Sequence, residues 1–332
     1  MFVSEDEGQC CGMIQLRVSR LKTLWKQAVF FLAVGVLAAG GCGDGQQFLS
    51  LGTAGTGGIY YPLGGALASR MSLADSTRQY TAEVSGGSVE NINRIAAGQM
   101  DLGMVLAVTA YQAQRGLGDW EEAVPGLRIL APLYPNLTHV MVPRNSTDTG
   151  IGDLAGKRVS VGPPGSGTEQ MARHLLAAHG LSYEDLQPRY LSFSESSSAL
   201  RDGAIDAAVI SVGYPAAAVL EATTTAGVRL LPIDPEVVTS MQEEHPYYTV
   251  AEIPAGAYPG VDETLQTAAV HNWIVGMDTL EDEVVEILLD ILANDRASLE
   301  RVHNMATQID LARLEDPPIL LHAATERWIS ER

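Results

Sequence analysis

Apolar runs of strand length alternate along the chain with segments of helical periodicity, and Gly- and Ser-rich stretches join them. One such run ends at Val161, and Met171 and Leu175 then recur at helical spacing as far as Gly180. Two more units with the same order of strand, Gly/Ser stretch and helix occur, over residues 49–71 and 80–95. This alternation of strands and helices predicts an α/β fold.

The remaining elements indicate two domains joined by crossing segments. Further strands are predicted over residues 102–106, 128–134, 138–142, 189–193, 205–210 and 228–233. Helices are predicted from residue 194, over residues 280–293 and near the C-terminus. We interpret the run that ends before Pro143 as the crossing into a second domain and the last of these strands as the return. The division expected is a first domain, a second domain and a return to the first, over residues 48–142, 143–231 and 232–332.

The N-terminal segment is typical of an exported protein. Residues 28–41 form an apolar run that is too short to cross a bilayer comfortably, and basic residues precede it. The run leads into L-A-A-G-G-C, which ends at Cys42 and resembles a bacterial lipobox, although Ala39 stands where a bulky aliphatic residue is usual. We predict that residues 1–41 are a lipoprotein-type signal peptide and that Cys42 is lipidated. The protein would then be periplasmic or at the cell surface, held to the membrane only by this lipid. Cleavage without lipidation is the alternative.

Composition narrows the possible partners. The 332 residues are 46% hydrophobic, which suffices for real cores, and 21 basic against 40 acidic residues give a formal charge of −19. Such a charge argues against nucleic acid or an anionic membrane surface as a partner. The only cysteines are Cys10, Cys11 and Cys42, so the domain after the predicted cleavage point has no disulfide and no cysteine chemistry.

The loop from Gly162 to Gly167 is similar to a nucleotide-binding loop but lacks its key residues. Thr168 stands where the G-x-x-x-x-G-K-[ST] pattern has Lys, and Glu169 stands where it has Ser or Thr. A triphosphate would therefore meet a carboxylate, which excludes ATP and GTP. The free N–H groups and the positive dipole end of the following helix suit a smaller anion such as a carboxylate. A plain strand–helix turn without a ligand is the alternative.

Three helix starts of this kind supply candidate contacts to a small carboxylate. These contacts are Gly57, Gly58, Gly87, Ser88, Ser166, Gly167 and Thr168. Each lies where N–H groups at the start of a helix lack a partner within that helix.

Three side chains with other chemistry are further candidates for ligand contact. Tyr60 follows the first Gly-rich stretch, His139 ends an apolar β run, and Tyr214 follows the strand over residues 205–210. Packing in the core is the alternative for Tyr60, and a buried, hydrogen-bonded histidine is the alternative for His139. No grouping of His, Asp and Glu has metal-ligand spacing, and no metal or cofactor is expected. The G-x-S-x-G and H-E-x-x-H motifs are absent, so we expect no enzyme; one acting on a small organic acid is kept as an alternative.

Six segments in fixed order together carry a family resemblance. They lie at residues 55–64 (G-T-G-G-I-Y-Y-P-L-G), 85–91 (S-G-G-S-V-E-N), 153–162 (D-L-A-G-K-R-V-S-V-G), 165–169 (G-S-G-T-E), 202–207 (D-G-A-I-D-A) and 254–258 (P-A-G-A-Y). With them, the chain closely resembles the TAXI family of solute-binding receptors for TRAP transporters, over essentially all of residues 49–330.

The resemblance implies a type II periplasmic-binding-protein fold with two lobes, each a sheet flanked by helices, and a ligand in the cleft between them. It also implies capture of a small carboxylate or amino acid, such as 2-oxoglutarate or glutamate, and its delivery to sodium-coupled membrane subunits of a TRAP transporter. In one departure from the family, the segment 104–108 (M-V-L-A-V) lacks the polar Gln or Asp that many relatives carry there. An ABC-type receptor of the same fold is the alternative.

Overall fold

The strand–helix units build one mixed sheet with helices packed against it. The computed structural model describes residues 46–332. The strands are β1 (Gln47–Gly52), β2 (Arg78–Glu83), β3 (Leu102–Leu106), β4 (Leu127–Pro143), β5 (Arg158–Ser160), β6 (Gln187–Arg189), β7 (Ala207–Val212), β8 (Val228–Leu231), β9 (Tyr248–Ile253) and β10 (Leu265–Met277). The helices are α1 (Tyr60–Ala74), α2 (Ser88–Ala96), α3 (Ala107–Arg115), α4 (Gly167–Ala178), α5 (Phe193–Arg201), α6 (Ala217–Glu221), α7 (Pro235–Glu244), α8 (Asp282–Asn294), α9 (Arg296–Glu300) and α10 (Ala323–Ser330).

Two groups of strands flank a central antiparallel pair in this sheet. The strand order is β2-β1-β3-β10-β4-β7-β5-β6, with β8 paired to β4 and β9 paired to β10. β1 runs parallel to β3, and β5 runs parallel to both β6 and β7. We call β2, β1 and β3 the first sheet half and β7, β5 and β6 the second sheet half. Short connections through helices explain the parallel pairs within each half.

Two long strands connect the sheet halves. β4 pairs with β10 between Leu127 and Leu137, and it pairs with β7 from Leu137 to Met141. β10 pairs with β9 over its first six residues and with β3 over residues 272–276. The two apolar runs predicted at residues 128–142 are therefore one continuous strand that passes from one half to the other.

Most of the predicted elements are present, with one shift in the second sheet half. The strand predicted over residues 102–106 is β3, and the helix predicted after Val161 is α4. The segment 189–193, however, is not a strand, because β6 ends at Arg189 and α5 begins at Phe193. The helix starts early because Ser192 and Glu195 form a capping box.

The lobe boundaries and the N-terminal assignments stay predictions. Residues Phe48–Arg332 form one compact unit, since β4 and β10 run through both sheet halves. Cys42 and the predicted signal peptide lie outside the described residues. Within residues 46–332, no helix is long and apolar enough to span a membrane.

Candidate ligand-binding site

Five helix starts meet at one cavity in the described part of the chain. α1, α2 and α3 follow the strands of the first sheet half, and α4 and α5 follow β5 and β6 of the second. Within each half, the parallel strands bring their carboxyl ends to one edge, so the helices that follow them begin close together. Each start contributes a first residue or cap to the cavity wall, namely Tyr60, Ser88, Leu106, Gly167 and Phe193.

Several main-chain donors at these starts have no partner in the protein. The N–H groups of Ser88, Gly167 and Thr168 find no acceptor within residues 46–332, whereas the N–H of Glu169 donates to Ser166 Oγ at 3.1 Å. The first N–H groups of a helix cannot bond within that helix, and the helix dipole adds positive charge at the same place. The cavity wall therefore offers hydrogen-bond donors to an anion.

Glycines let the helix starts from the two sheet halves approach each other. A Cβ on Gly167 would lie 2.5 Å from Leu106 Cδ1 and 2.7 Å from Ser88 Oγ, so a larger residue there would force both side chains to move. Gly87, the cap of α2, has φ of 125°, which favours glycine. The Glu90 N–H donates to the Gly165 carbonyl at 3.0 Å, so the first turn of α2 touches the loop before α4 directly. Residues from both halves therefore meet at the cavity wall.

The walls of this cavity carry no charge. None of the residues that line it is Asp, Glu, Lys, Arg or His, and much of the wall is apolar, including Ile59, Leu106, Phe193 and Val212. The cavity leaves about 50 Å³ for the centres of water-sized atoms. A water needs roughly 10–15 Å³ on this scale, so the space suits a few atoms only.

The serine hydroxyls at the starts of α2 and α4 differ in their hydrogen-bond partners. Ser88 Oγ accepts the Leu106 N–H at 3.1 Å, and the same hydroxyl interacts with Tyr60, whose pKa it lowers against the larger effect of burial. Ser166 Oγ donates to the Pro163 carbonyl at 2.6 Å and accepts the Glu169 N–H, so its hydroxyl is already used by the fold. The Ser88 hydroxyl therefore interacts with another residue of the cavity wall, whereas that of Ser166 is held within its own turn.

A buried chain of hydrogen bonds leads from Tyr60 to Ser211 through both long strands. Tyr60 Oη donates to Asn272 Oδ1 at 2.6 Å, and Asn272 Nδ2 donates to Asn136 Oδ1 at 2.8 Å. Asn136 Nδ2 then donates to the Ser211 carbonyl at 3.0 Å. Burial raises the pKa of Tyr60, which keeps the phenol protonated and able to donate. The chain orients Tyr60, Asn136 and Ser211, all of which line the cavity.

Most of the predicted contact residues come together at this cavity. Those that line it are Gly58, Tyr60, Gly87, Ser88, Ser166, Gly167 and Thr168. Gly57 lies beside the cavity and not in its wall, because its carbonyl accepts the Ala218 N–H at 3.2 Å and it packs against Phe193. Tyr214 is partly buried against the hydrophobic core and does not line this cavity.

His139 lies away from the cavity, inside the protein. Its side chain is fully buried, with Nδ1 bonded to the Leu137 carbonyl and Nε2 to the Tyr258 hydroxyl, each at 3.1 Å. A carbonyl only accepts, so Nδ1 carries the hydrogen and Nε2 accepts from Tyr258. Burial lowers the pKa of His139 to about 4. This arrangement is the buried, hydrogen-bonded histidine that the sequence left open as an alternative.

The sequence interpretation missed eleven residues of the cavity wall, four of which carry polar or aromatic side chains. These four are Asn136, Ser192, Phe193 and Ser211. The S-F-S-E pattern beginning at Ser192 is a capping-box signature and could have located the helix start. No local sequence signal identifies Asn136 or Ser211 as a residue of the site. Each lies inside a buried strand, and its hydrogen-bond partner is distant along the chain.

Solved structures share this architecture at low sequence identity. The chain is similar to a protein of Bordetella bronchiseptica RB50, with 16% identity over 87% of this chain and 82% of that one and a TM-score of 0.50. It is similar to a periplasmic transporter of known structure, with 13% identity, coverage of 86% and 93%, and a TM-score of 0.50. It is also similar to the periplasmic aliphatic sulphonate binding protein SsuA from Escherichia coli, with 17% identity, coverage of 86% and 84%, and a TM-score of 0.47.

The fold defines the class of protein. It is the two-lobed α/β fold of periplasmic binding proteins, a mixed sheet flanked by helices, and the predicted fold class is confirmed. The chain belongs to the NMT1-like family, whose model matches residues 51–332.

Proposed function

We propose that the protein is an extracytoplasmic solute-binding receptor that captures a small carboxylate in the cavity between the sheet halves. The observation that carries this proposal is the meeting of five helix starts, with unpaired N–H groups at Ser88, Gly167 and Thr168, on an uncharged cavity. A carboxylate there gains dipole attraction of roughly 0.3–2 kcal/mol and charge-assisted hydrogen bonds of about 1.5–3 kcal/mol each. These interactions hold a small acid without an arginine.

Delivery to a TRAP transporter is the second element of the proposal. It rests on the six TAXI-like segments of the sequence, three of which, at residues 55–64, 85–91 and 165–169, supply residues to the cavity wall. An ABC-type receptor is the alternative, since the fold serves both kinds of transporter. The neighbouring genes distinguish them, because a large fused membrane subunit accompanies a TRAP receptor and an ATPase accompanies an ABC receptor.

A binding role fits the cavity better than catalysis. The Ser166 hydroxyl donates to a main-chain carbonyl, and no histidine lines the cavity to act as a base. Among residues 46–332, no group of three or more His, Cys, Asp or Glu is placed to hold a metal ion. An enzyme acting on a small organic acid stays the weaker alternative, and turnover of the bound acid would favour it.

Export and anchoring complete the proposal. We assign residues 1–41 to a signal peptide and Cys42 to lipidation, which would hold the receptor in the periplasm or at the cell surface beside its membrane partner. We assign the lobes to residues 48–142 with 232–332 and to residues 143–231. The two long strands β4 and β10 would then form the connection about which the lobes close.

Native mass spectrometry of the purified protein tests the binding role. We expect a small acid to be retained through purification and released on denaturation, and calorimetry with that acid should give tight, saturable binding. Loss of the retained species with no affinity for any small acid would contradict the proposal. Conversion of the acid during incubation would point to the enzyme alternative.

A further inference from the structure

Ser211 carries a buried hydroxyl that the protein itself does not use. The residue is 3% exposed, it lines the cavity, and its Oγ has no hydrogen-bond partner within residues 46–332. Its carbonyl accepts from Asn136 Nδ2 at 3.0 Å, which fixes the strand at this point. Buried hydroxyls nearly always have a partner, because leaving one unpaired costs stability. A ligand atom in the cavity would supply the missing partner.

The cavity wall also restricts the charge of its ligand. Its donors are main-chain N–H groups and hydroxyls, and no lining side chain is negatively charged. An ammonium group enclosed there would lack a counter-charge, and a second carboxylate would be buried without a cation. One carboxylate is matched by the helix starts, and the rest of the ligand meets apolar walls such as Ile59, Phe193 and Val212.

The volume of the cavity limits the length of the ligand. About 50 Å³ is open to the centres of water-sized atoms. At roughly 10–15 Å³ for each water, this corresponds to about three to five atoms of that size. A three-carbon acid is close to this limit, whereas a five-carbon amino acid or dicarboxylate exceeds it.

We propose that the ligand is a short monocarboxylate with an uncharged body, and that Ser211 Oγ binds it directly. This inference rests on the proposed function and narrows its substrate class. The carboxylate lies at the starts of α2 and α4, where Ser88, Gly167 and Thr168 present their N–H groups. The hydroxyl of Ser211 hydrogen-bonds an oxygen of the same molecule from the β7 side of the cavity.

A calorimetric series with ligands of matched size tests the charge requirement. The probes are propionate, pyruvate, L-alanine, malonate and propionamide, with L-glutamate as a larger zwitterionic acid. We expect propionate or pyruvate to bind at least tenfold more tightly than each of the other four. Tighter binding of alanine, malonate or glutamate would overturn this inference while leaving a carboxylate receptor in place. Equal binding of propionamide and propionate, or no binding of any acid, would overturn the inference and the proposed function together.

Two variants test the role of Ser211. Thr138 is a matched control, because it lies opposite Ser211 in the β4–β7 pairing, its Oγ1 is also buried and unpartnered, and it does not line the cavity. Neither Ser211→Ala nor Thr138→Val removes a hydrogen bond of the free protein, so both should keep its melting temperature. We expect Ser211→Ala to weaken binding of the preferred acid about fivefold or more and Thr138→Val to leave it unchanged. Unchanged affinity in Ser211→Ala, or an equal loss in both variants, would remove Ser211 from the site.

Discussion

Ser166 and Thr168 are neighbours at the start of α4, yet their hydroxyls do different things. Ser166 Oγ caps the helix by accepting the Glu169 N–H. Thr168 Oγ1 forms no hydrogen bond within residues 46–332, although its side chain is buried and lines the cavity. The sequence suggested the same role for both residues. The direction of a side chain at a helix start depends on how the preceding loop turns, and the sequence does not show this. In the structure, one hydroxyl serves the fold and the other is free for a ligand.

Substitution of these two residues should separate stability from binding. Ser166→Ala removes the helix cap and should lower the free energy of unfolding by about 1 kcal/mol, a typical value for a lost cap. Ser166→Asp keeps a capping oxygen and should recover most of this loss. Thr168→Val is the control within the same turn and should leave stability nearly unchanged. Urea denaturation measures all three, and equal losses in Ser166→Ala and Thr168→Val would contradict the assignment of the cap.

The elements of this fold were predictable where their signals are local. Periodicity and Gly/Ser caps located β3, α1, α2 and α4, which together with the loops before these helices carry most of the cavity wall. The strand β10 was not predicted, because Thr267, His271 and Asn272 break its apolar pattern. Thr267 and Asn272 are buried, and their partners Thr138 and Asn136 lie more than a hundred residues away along the chain. A sequence read locally cannot show that these polar residues are satisfied inside the protein.

Contacts between α3 and α4 hold the two sheet halves together beyond the cavity. Thr109 Oγ1 donates to Gln170 Oε1 at 2.7 Å, and Gln170 Nε2 donates to Asp119 at 2.7 Å. Both Thr109 and Gln170 are buried. Because these bonds join α4 to α3 and to the loop after it, the closure proposed above would form them and opening would break them. They therefore contribute to the closed state without touching a ligand.

Thr109→Val should weaken ligand binding from a distance. Loss of the hydroxyl leaves Gln170 Oε1 unpaired in the closed state, at a cost of about 1–3 kcal/mol, while water satisfies it in the open state. A smaller fraction of the molecules then adopts the closed state that binds the ligand. The apparent affinity should therefore fall about tenfold, although the contacts between protein and ligand are unchanged.

Thr223→Val is the matched control for this substitution. Thr223 is also buried, but its Oγ1 donates to the Val219 carbonyl within one helical segment. Calorimetry with the retained acid should show a loss of affinity for Thr109→Val only. The same affinity in both variants would mean that the α3–α4 contact does not govern closure.

At the scale of the whole molecule, the buried histidines make stability depend on pH. Burial lowers the pKa of His139 to about 4, of His174 to about 3 and of His271 to about 4, from the ordinary histidine pKa of 6.5. It also lowers the pKa of His245 and His322. Between the lowered pKa values and pH 6.5, these histidines bind fewer protons in the folded protein than in the unfolded chain. A fall in pH through this range therefore stabilises the unfolded chain relative to the folded protein.

The free energy of unfolding should therefore fall as the pH drops from about 6.5 towards 4. Each such histidine contributes roughly 1.4 kcal/mol per pH unit well inside this window, and three of them should lower stability by several kcal/mol between neutral pH and pH 5. Stability between pH 7 and pH 8 should change little by this route. Urea denaturation at each pH checks the slope, and a flat profile from pH 7 to pH 5 would contradict neutral, buried histidines.

The predicted anchor concerns the molecule as it exists in the cell. Intact mass of protein taken from the membrane fraction should show a diacylglyceryl adduct on Cys42 as the first residue. Cys42→Ser should move the protein out of the membrane fraction, since no other cysteine follows the predicted cleavage point. A mature N-terminus elsewhere, found only in soluble periplasm, would refute lipidation.

The donors at the five helix starts belong to the main chain, and this affects how the protein can evolve. Every residue type except proline carries the same N–H group, so most point mutations at these positions leave the donor in place. Gly167 is more constrained, since a side chain there would require Leu106 and Ser88 to move. The walls around Phe193 and Val212 have no such constraint. If the cavity binds a carboxylate as proposed, descendants of this chain would exchange the body of their ligand long before they lose the preference for its acidic end.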